Sequence, residues 1–93
     1  MPAWSVAFIS EAEHDLAKFD ETMQDRIIEK LEWLSHSFDS ASPLPLSNVL
    51  RGYFKLRIGS VRVIYTVDIP SRALLVRAIG QRDKIYKRFG ARV

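Results

Sequence analysis

From residue 53 to residue 68 the chain alternates apolar and polar side chains with a period of two, interrupted once at "IGS". Phe54, Leu56 and Ile58 fall on one side and Tyr53, Lys55 and Arg57 on the other. On the return, Val61, Val63, Tyr65 and Val67 oppose Arg62, Ile64, Thr66 and Asp68. That period predicts two half-buried strands. Gly59, free to take positive φ, predicts the tight turn that joins them into a hairpin. "RALLVRAIG" (72–80) follows after "IPS" as a nearly continuous apolar run, the pattern of a central strand covered on both faces.

Upstream of the hairpin the period is helical. "WSVAFI" (4–9) is a short β-branched and aromatic run, read as a first strand. Ser10 with Glu13 three residues on has the form of a capping box, so a helix is expected to start there, with Ala12, Leu16 and Phe19 as a narrow apolar stripe. Asp20 offers a second N-cap, and Met23, Ile27, Leu31, Leu34 and Phe38, widened by Ile28, predict a longer helix from about Glu21 to Ser37. "DSASPLPLSN" (39–48) is expected to be loop, since Pro43 and Pro45 exclude helix or central strand. The ending "QRDKIYKRFGARV" is polar and basic, with one or two helical turns expected around Asp83 to Arg88. The predicted architecture is therefore α+β in the order β-α-α-β-β-β. One antiparallel sheet carries a helical hairpin on one face and leaves the other open and basic, with a short C-terminal basic helix or tail.

Length and composition add limits. Ninety-three residues, 47% of them hydrophobic, suit one domain spanning 1–93 with a single core. Without cysteine there is neither a disulfide framework nor a thiolate metal site, and the N-terminus has no signal-peptide pattern, so a cytoplasmic protein is expected. No apolar run reaches the length of a membrane span, and no cofactor or metal motif is present. His14 and His36 lie outside any ligand spacing and read as surface or boundary residues. Trp4 and Trp33 read as core or partner contacts.

Charge changes the picture more. Residues 1–49 hold three bases (Lys18, Arg26, Lys30) against nine acids, a net of −6, whereas residues 50–93 hold eleven bases against Asp68 and Asp83, a net of +9. If the apolar side of the hairpin meets the helices, Lys55, Arg57 and Arg62 project together from the uncovered face. Gathered cations repel by roughly 1 kcal/mol per hydrated pair unless an anion joins them, which points to a polyanion partner that presents phosphate. The plainer reading is an edge hairpin kept from aggregating by its charge. The assignment depends on register, because a bulge near Gly59 would turn Arg62 inward.

The segments "LRGYFKLRIGSVRVIYTVD" and "IGQRDKIYKR" resemble the RelE/ParE toxin superfamily, and within it the RelE-like mRNA interferases of type II toxin–antitoxin modules. The resemblance spans nearly the whole chain. It implies a ribosome-dependent mRNA endonuclease that inhibits translation, without metal or cofactor, and it sets Lys55, Arg57, Arg62, Arg82 and Tyr86 at the family's catalytic positions. Arg51, Tyr53, Lys84, Lys87 and Arg88 are the expected RNA contacts. The implied partners are mRNA in the ribosomal A site and a cognate acidic antitoxin of the RelB kind. Two departures bear on the general base: Gln81 stands where many relatives have histidine, and Tyr53 where an active-family lysine is found. Alternatives are the ParE-like branch, a non-nuclease inhibitor of DNA gyrase, and an inactive toxin-fold RNA-binding module.

The chemistry of such a site follows from residue types. Cleavage through the 2′-OH needs a base, cations for the charge that builds on the phosphorane, and an acid for the leaving 5′-oxygen. Arginine's fork of permanently charged donors meets two phosphate oxygens at once, so Arg62 and Arg82 suit transition-state stabilisation. Lys55 adds a point charge. Tyr86, with an ordinary phenol pKa near ~10, is a weak unaided base, which favours stacking or a role completed by substrate.

Overall fold

The alternating segment is the hairpin it predicts, and the rest of the molecule is assembled against it. A computed structural model describes residues 4–39, 44–45 and 52–90. In chain order the elements are β1 (Ser5–Phe8), α1 (Ser10–Ala17), α2 (Glu21–Ser37), β2 (Leu44–Pro45), β3 (Tyr53–Ile58), β4 (Val61–Asp68), β5 (Ala73–Gln81) and α3 (Arg82–Gly90). They form an α+β fold in which one sheet has the strand order β1-β5-β4-β3-β2. No helix among the described residues is long and apolar enough to cross a membrane.

Three local expectations are corrected. β1 runs parallel to β5, pairing Ser5 with Ala73 and Phe8 with Val76, so the sheet is mixed and not wholly antiparallel. Part of the segment read as loop is a strand, Leu44 and Pro45 pairing with Lys55 and Phe54. Proline is tolerated there because β2 is the outermost strand and needs no second hydrogen-bonding edge. Helix α1 does start at Ser10, but Ser10 lies inside it; Ile9 is the N-cap residue and no side chain caps the end, so the capping box is absent. At α2 the expected device is present, the Asp20 carboxylate accepting from the Met23 backbone N–H at 2.8 Å.

The apolar side of the hairpin packs beneath the two helices. Leu56, Ile58, Val61, Val63 and Tyr65 join Leu74, Val76 and Ile79 of β5, and Ala12, Ile27, Leu31 and Leu34 close over them. Trp4 belongs to this core, its indole N–H donating to the Asp39 carboxylate at 3.0 Å. Arg72 lies over the Trp4 ring at 4.6 Å and pairs with the same carboxylate at 3.1 Å. The Trp4 hydrogen bond first, and the Arg72 bond after it, hold the Asp39 carboxyl below its ordinary range.

Tyr65 is wedged between Phe38 and Phe54, with ring centroids 6.5 Å and 5.8 Å away, and burial pushes its phenol up to about 12. A phenol raised above its unfolded value contributes stability that is complete below about pH 10, the ordinary tyrosine range, and is lost as the pH climbs through about 12. An alkaline arm of unfolding in that window is expected by circular dichroism, and Tyr65→Phe should push it to higher pH; an unchanged arm would show that Tyr65 does not drive it.

The opposite face of the sheet is not left fully open. Ile64 and Ala78 are buried there under Ile85 of α3, with Tyr53 and Tyr86 packed at the margin. The C-terminal basic segment is thus a docked helix whose one apolar stripe covers part of this face.

Candidate active site

Strand alternation and one turn assemble the cationic cluster. Lys55 and Arg57 are two residues apart on β3 and share a face. Arg62 on β4 lies directly opposite Arg57, in a ladder that runs without interruption from Tyr53↔Thr66 to Ile58↔Val61. No bulge occurs at Gly59, so Arg62 stays on the cationic side. Its side chain is nonetheless covered, the residue being only 8% exposed, and its Nη1 donates to the carbonyls of Gly59 at 2.7 Å and Val61 at 3.0 Å. Gly59 has φ of +60°, a left-handed conformation that leaves its carbonyl aimed at the guanidinium.

The same turn locates the start of α3. The Arg82 backbone N–H donates to the Ser60 carbonyl at 2.9 Å, and the Ser60 hydroxyl donates to the Gln81 side chain at 2.8 Å. Arg82 and Tyr86, four residues apart, therefore face the same way along the helix. α3 sits close because residue 80 is glycine: a Cβ there would lie 3.2 Å from Ile85 Cδ1 and 3.4 Å from Ile85 Cβ. β5 carries a bulge opposite Ile64 and Tyr65, its pairing passing from Ala78 to Val76 and leaving Arg77 as the extra residue. That step restores Ile79 to the core side and turns Gly80 to the α3 side. The Asp15 carboxylate, buried at the end of α1, accepts from the Ile79 backbone N–H at 3.0 Å and fixes the strand end that leads into Arg82.

The result is a cavity of about 220 Å³ lined by Lys55, Arg57, Arg62, Arg82 and Tyr86. All five expected catalytic positions meet there, and none of the lining residues is a carboxylate. The Lys55 ammonium lies 5.5 Å from the centroid of the Tyr86 ring, over its face. Arg57 facing Arg62 costs stability of roughly 0.2–1 kcal/mol relative to a neutral pair. The salt bridge of Arg72 with Asp39 lies elsewhere, and no carboxylate lines the cluster. At about 220 Å³ the cavity falls below the ~300 Å³ at which pockets for whole small ligands begin, and it matches one phosphate with its flanking sugar atoms better than a nucleotide.

The expected RNA contacts are scattered more widely. Tyr53 is half-buried against the Ile64, Ala78 and Ile85 cluster. Lys84 lies on another side of α3, lining a cavity of about 160 Å³ with Asp15, Lys18 and Phe19 of the α1 end. Lys87 is exposed. Arg51 and the side chain of Arg88 lie outside the described residues. Sequence reasoning missed the organising part played by the Gly59–Ser60 turn, for which the glycine was the available signal. Of the two readings for Trp33, core or partner contact, its 49% exposure excludes the core. His14 and His36 are both exposed.

A cationic, carboxylate-free pocket on a mixed sheet, braced by a helical hairpin, defines a small toxin fold of the RelE/ParE kind. A family model described as ParE toxin of the type II toxin–antitoxin system parDE matches residues 6–86, and the chain belongs to that family. It is accordingly the toxin of a type II toxin–antitoxin system. Among solved structures it is similar to the RelBE2 toxin–antitoxin complex of Mycobacterium tuberculosis at 25% identity, covering 88% of this chain and 94% of that one with a TM-score of 0.77. The isolated E. coli RelE toxin matches at 18% identity and a TM-score of 0.72, over 97% of this chain and 98% of that one. The chromosomal ParDE system of P. aeruginosa matches at 13% and 0.69, over 85% and 96%. No curated protein sequence matches the chain.

Proposed function

We propose that this toxin is an endoribonuclease that cleaves mRNA on the ribosome by attack of a 2′-OH on the adjacent phosphate. The observation that carries the reading is the single cavity in which four cations and Tyr86 converge with no carboxylate beside them. O2′ attacks phosphorus and the P–O5′ bond breaks, leaving a 2′,3′-cyclic phosphate and a free 5′-hydroxyl. Arg62 and Arg82 hold the non-bridging oxygens as charge builds on them, and removing one such donor typically costs about 10²- to 10³-fold. Lys55, over the Tyr86 face, supplies a further charge and keeps the ring in place to stack on the nucleotide beside the cleavage point. Positioning of the message falls to the ribosome, and a RelB-like acidic antitoxin silences the toxin by neutralising the same cations.

The test is induction of the chain without an antitoxin, with transcript 5′ ends mapped in the same cultures. Growth arrest with cuts inside translated frames is expected for the wild type, and Arg82→Ala should relieve both. Tyr86→Phe, which keeps the ring and removes the hydroxyl, should retain most cleavage; a fall of about 10²-fold or more would make the phenol a proton carrier. The second reading, inhibition of DNA gyrase, is favoured by the match to the ParE family model. It predicts arrest with intact messages, a DNA-damage response, and no relief from Arg82→Ala.

A further inference from the structure

A second cleft opens on the helix side of the sheet edge, with a volume of about 440 Å³, lined by Arg26, Glu29, Lys30 and Trp33 of α2 and by Arg57, Ile58 and Gly59 of the hairpin. We infer that this cleft is a subsite for single-stranded RNA, which runs from the cationic cavity across Arg57 and stacks a base on Trp33. The inference deepens the endonuclease reading and rests on it.

Three independent features carry it. Charge comes first. The acidic half of the chain has only three bases, and two of them, Arg26 and Lys30, line this cleft, where with Arg57 they outnumber Glu29 three to one. α2 otherwise carries Glu21, Asp25 and Glu32, so its positive charge is confined to the wall that faces the hairpin. The second feature is Trp33, a large aromatic left 49% exposed beside the cleft with the Lys30 ammonium 4.4 Å from its ring centroid. An aromatic flanked by cations is the arrangement that binds single strands without base preference. Continuity is the third. Arg57 lines both cavities, and among the described residues β2 pairs with Lys55 and Phe54, short of the Arg57–Ile58 end of β3 where the two cavities meet. A volume of about 440 Å³ lies in the range of whole-ligand pockets, unlike the smaller cavity beside it, so the pair suits a phosphate at one end and a nucleotide at the other.

Purified full-length protein would be titrated with 5′-labelled 2′-O-methyl RNAs of two and of eight nucleotides, which cannot be cleaved, and read by fluorescence anisotropy at several salt concentrations. The expected result is that Trp33→Ala weakens the eight-nucleotide strand by about 5- to 100-fold and leaves the dinucleotide unchanged, with Trp33→Phe restoring most of the loss. Arg26→Gln combined with Lys30→Gln should lower the salt slope for the longer strand by about 1.4, since each phosphate contact on a single strand contributes about 0.7. If Trp33→Ala changes neither strand while Arg82→Ala weakens both, the subsite is overturned and the reading of the cationic cavity stands. Failure of the wild type to bind the eight-nucleotide strand would overturn the subsite, whereas the endonuclease reading stands or falls on the transcript cuts made on translating ribosomes. If Trp33→Ala spares RNA but prevents neutralisation by an acidic antitoxin peptide, the cleft belongs to the antitoxin and the inference is wrong.

Discussion

Arg62→Met is expected to lower cleavage on translating ribosomes by about 10²- to 10³-fold while lowering stability by no more than about 2 kcal/mol. The stability effect is modest because two terms oppose: Met removes the Nη1 bonds to the Gly59 and Val61 carbonyls, and it also relieves the facing charge of Arg57 across the ladder. Removing its charge ends a like-charge pair that costs roughly 0.2–1 kcal/mol, and an unbranched apolar side chain can occupy the same space. A core residue of equal burial behaves otherwise, losing activity only as it loses stability. Urea unfolding and a message-cleavage assay on the same preparations decide the matter. Loss of more than about 2 kcal/mol would make Arg62 a structural residue whose effect on cleavage is indirect.

Ile85→Ala should lower the proposed cleavage activity although Ile85 lines no part of the cationic cavity. Ile85 is 1% exposed and is the apolar anchor that seats α3 on Ile64 and Ala78, against the bare backbone of Gly80. Truncating it frees the helix that carries Arg82 and Tyr86, and a displacement of about 1 Å in a positioned group costs on the order of 10²-fold. Because this cluster is separate from the main core, α3 should fray while the sheet and helical hairpin stay folded. Hydrogen exchange would show protection lost over Arg82–Gly90 alone, and Ile85→Val would keep most of both. Cleavage unaffected by Ile85→Ala would mean that α3 need not be docked for activity.

Much of this arrangement was legible where a local pattern carried it. Period-two alternation assigned Leu56, Ile58, Val61, Val63 and Tyr65 to the core and Lys55, Arg57 and Arg62 to the other face, as the structure has them. The stripe from Met23 to Phe38 and the Asp20 cap likewise located α2. What escaped depends on contacts distant in sequence. Parallel pairing of β1 with β5 has no local signature, and Pro45 is compatible with a strand only once β2 is known to be outermost. Ser10 with Glu13 has the spacing of a capping box, yet the chain enters α1 one residue earlier, at Ile9. The burial of Ile85 was hidden by the basic residues around it, and the Trp33 cleft exists only because α2 lies across the end of β3.

The strand order also governs when the protein can come into being. β5 is the last of the described strands along the chain, yet it lies between β1 and β4, and it is the partner of β1 in the sheet. Until β5 emerges, β1 has no neighbour to pair with, and the helical hairpin lacks Leu74, Val76 and Ile79 from the floor beneath it. α3, which completes the cationic pocket, follows immediately on β5 at the end of the described chain. Non-local pairing of this kind makes folding wait for chain closure. A chain that stops before β5 therefore lacks both the floor of the core and the helix that completes the cationic pocket, however much has already formed upstream.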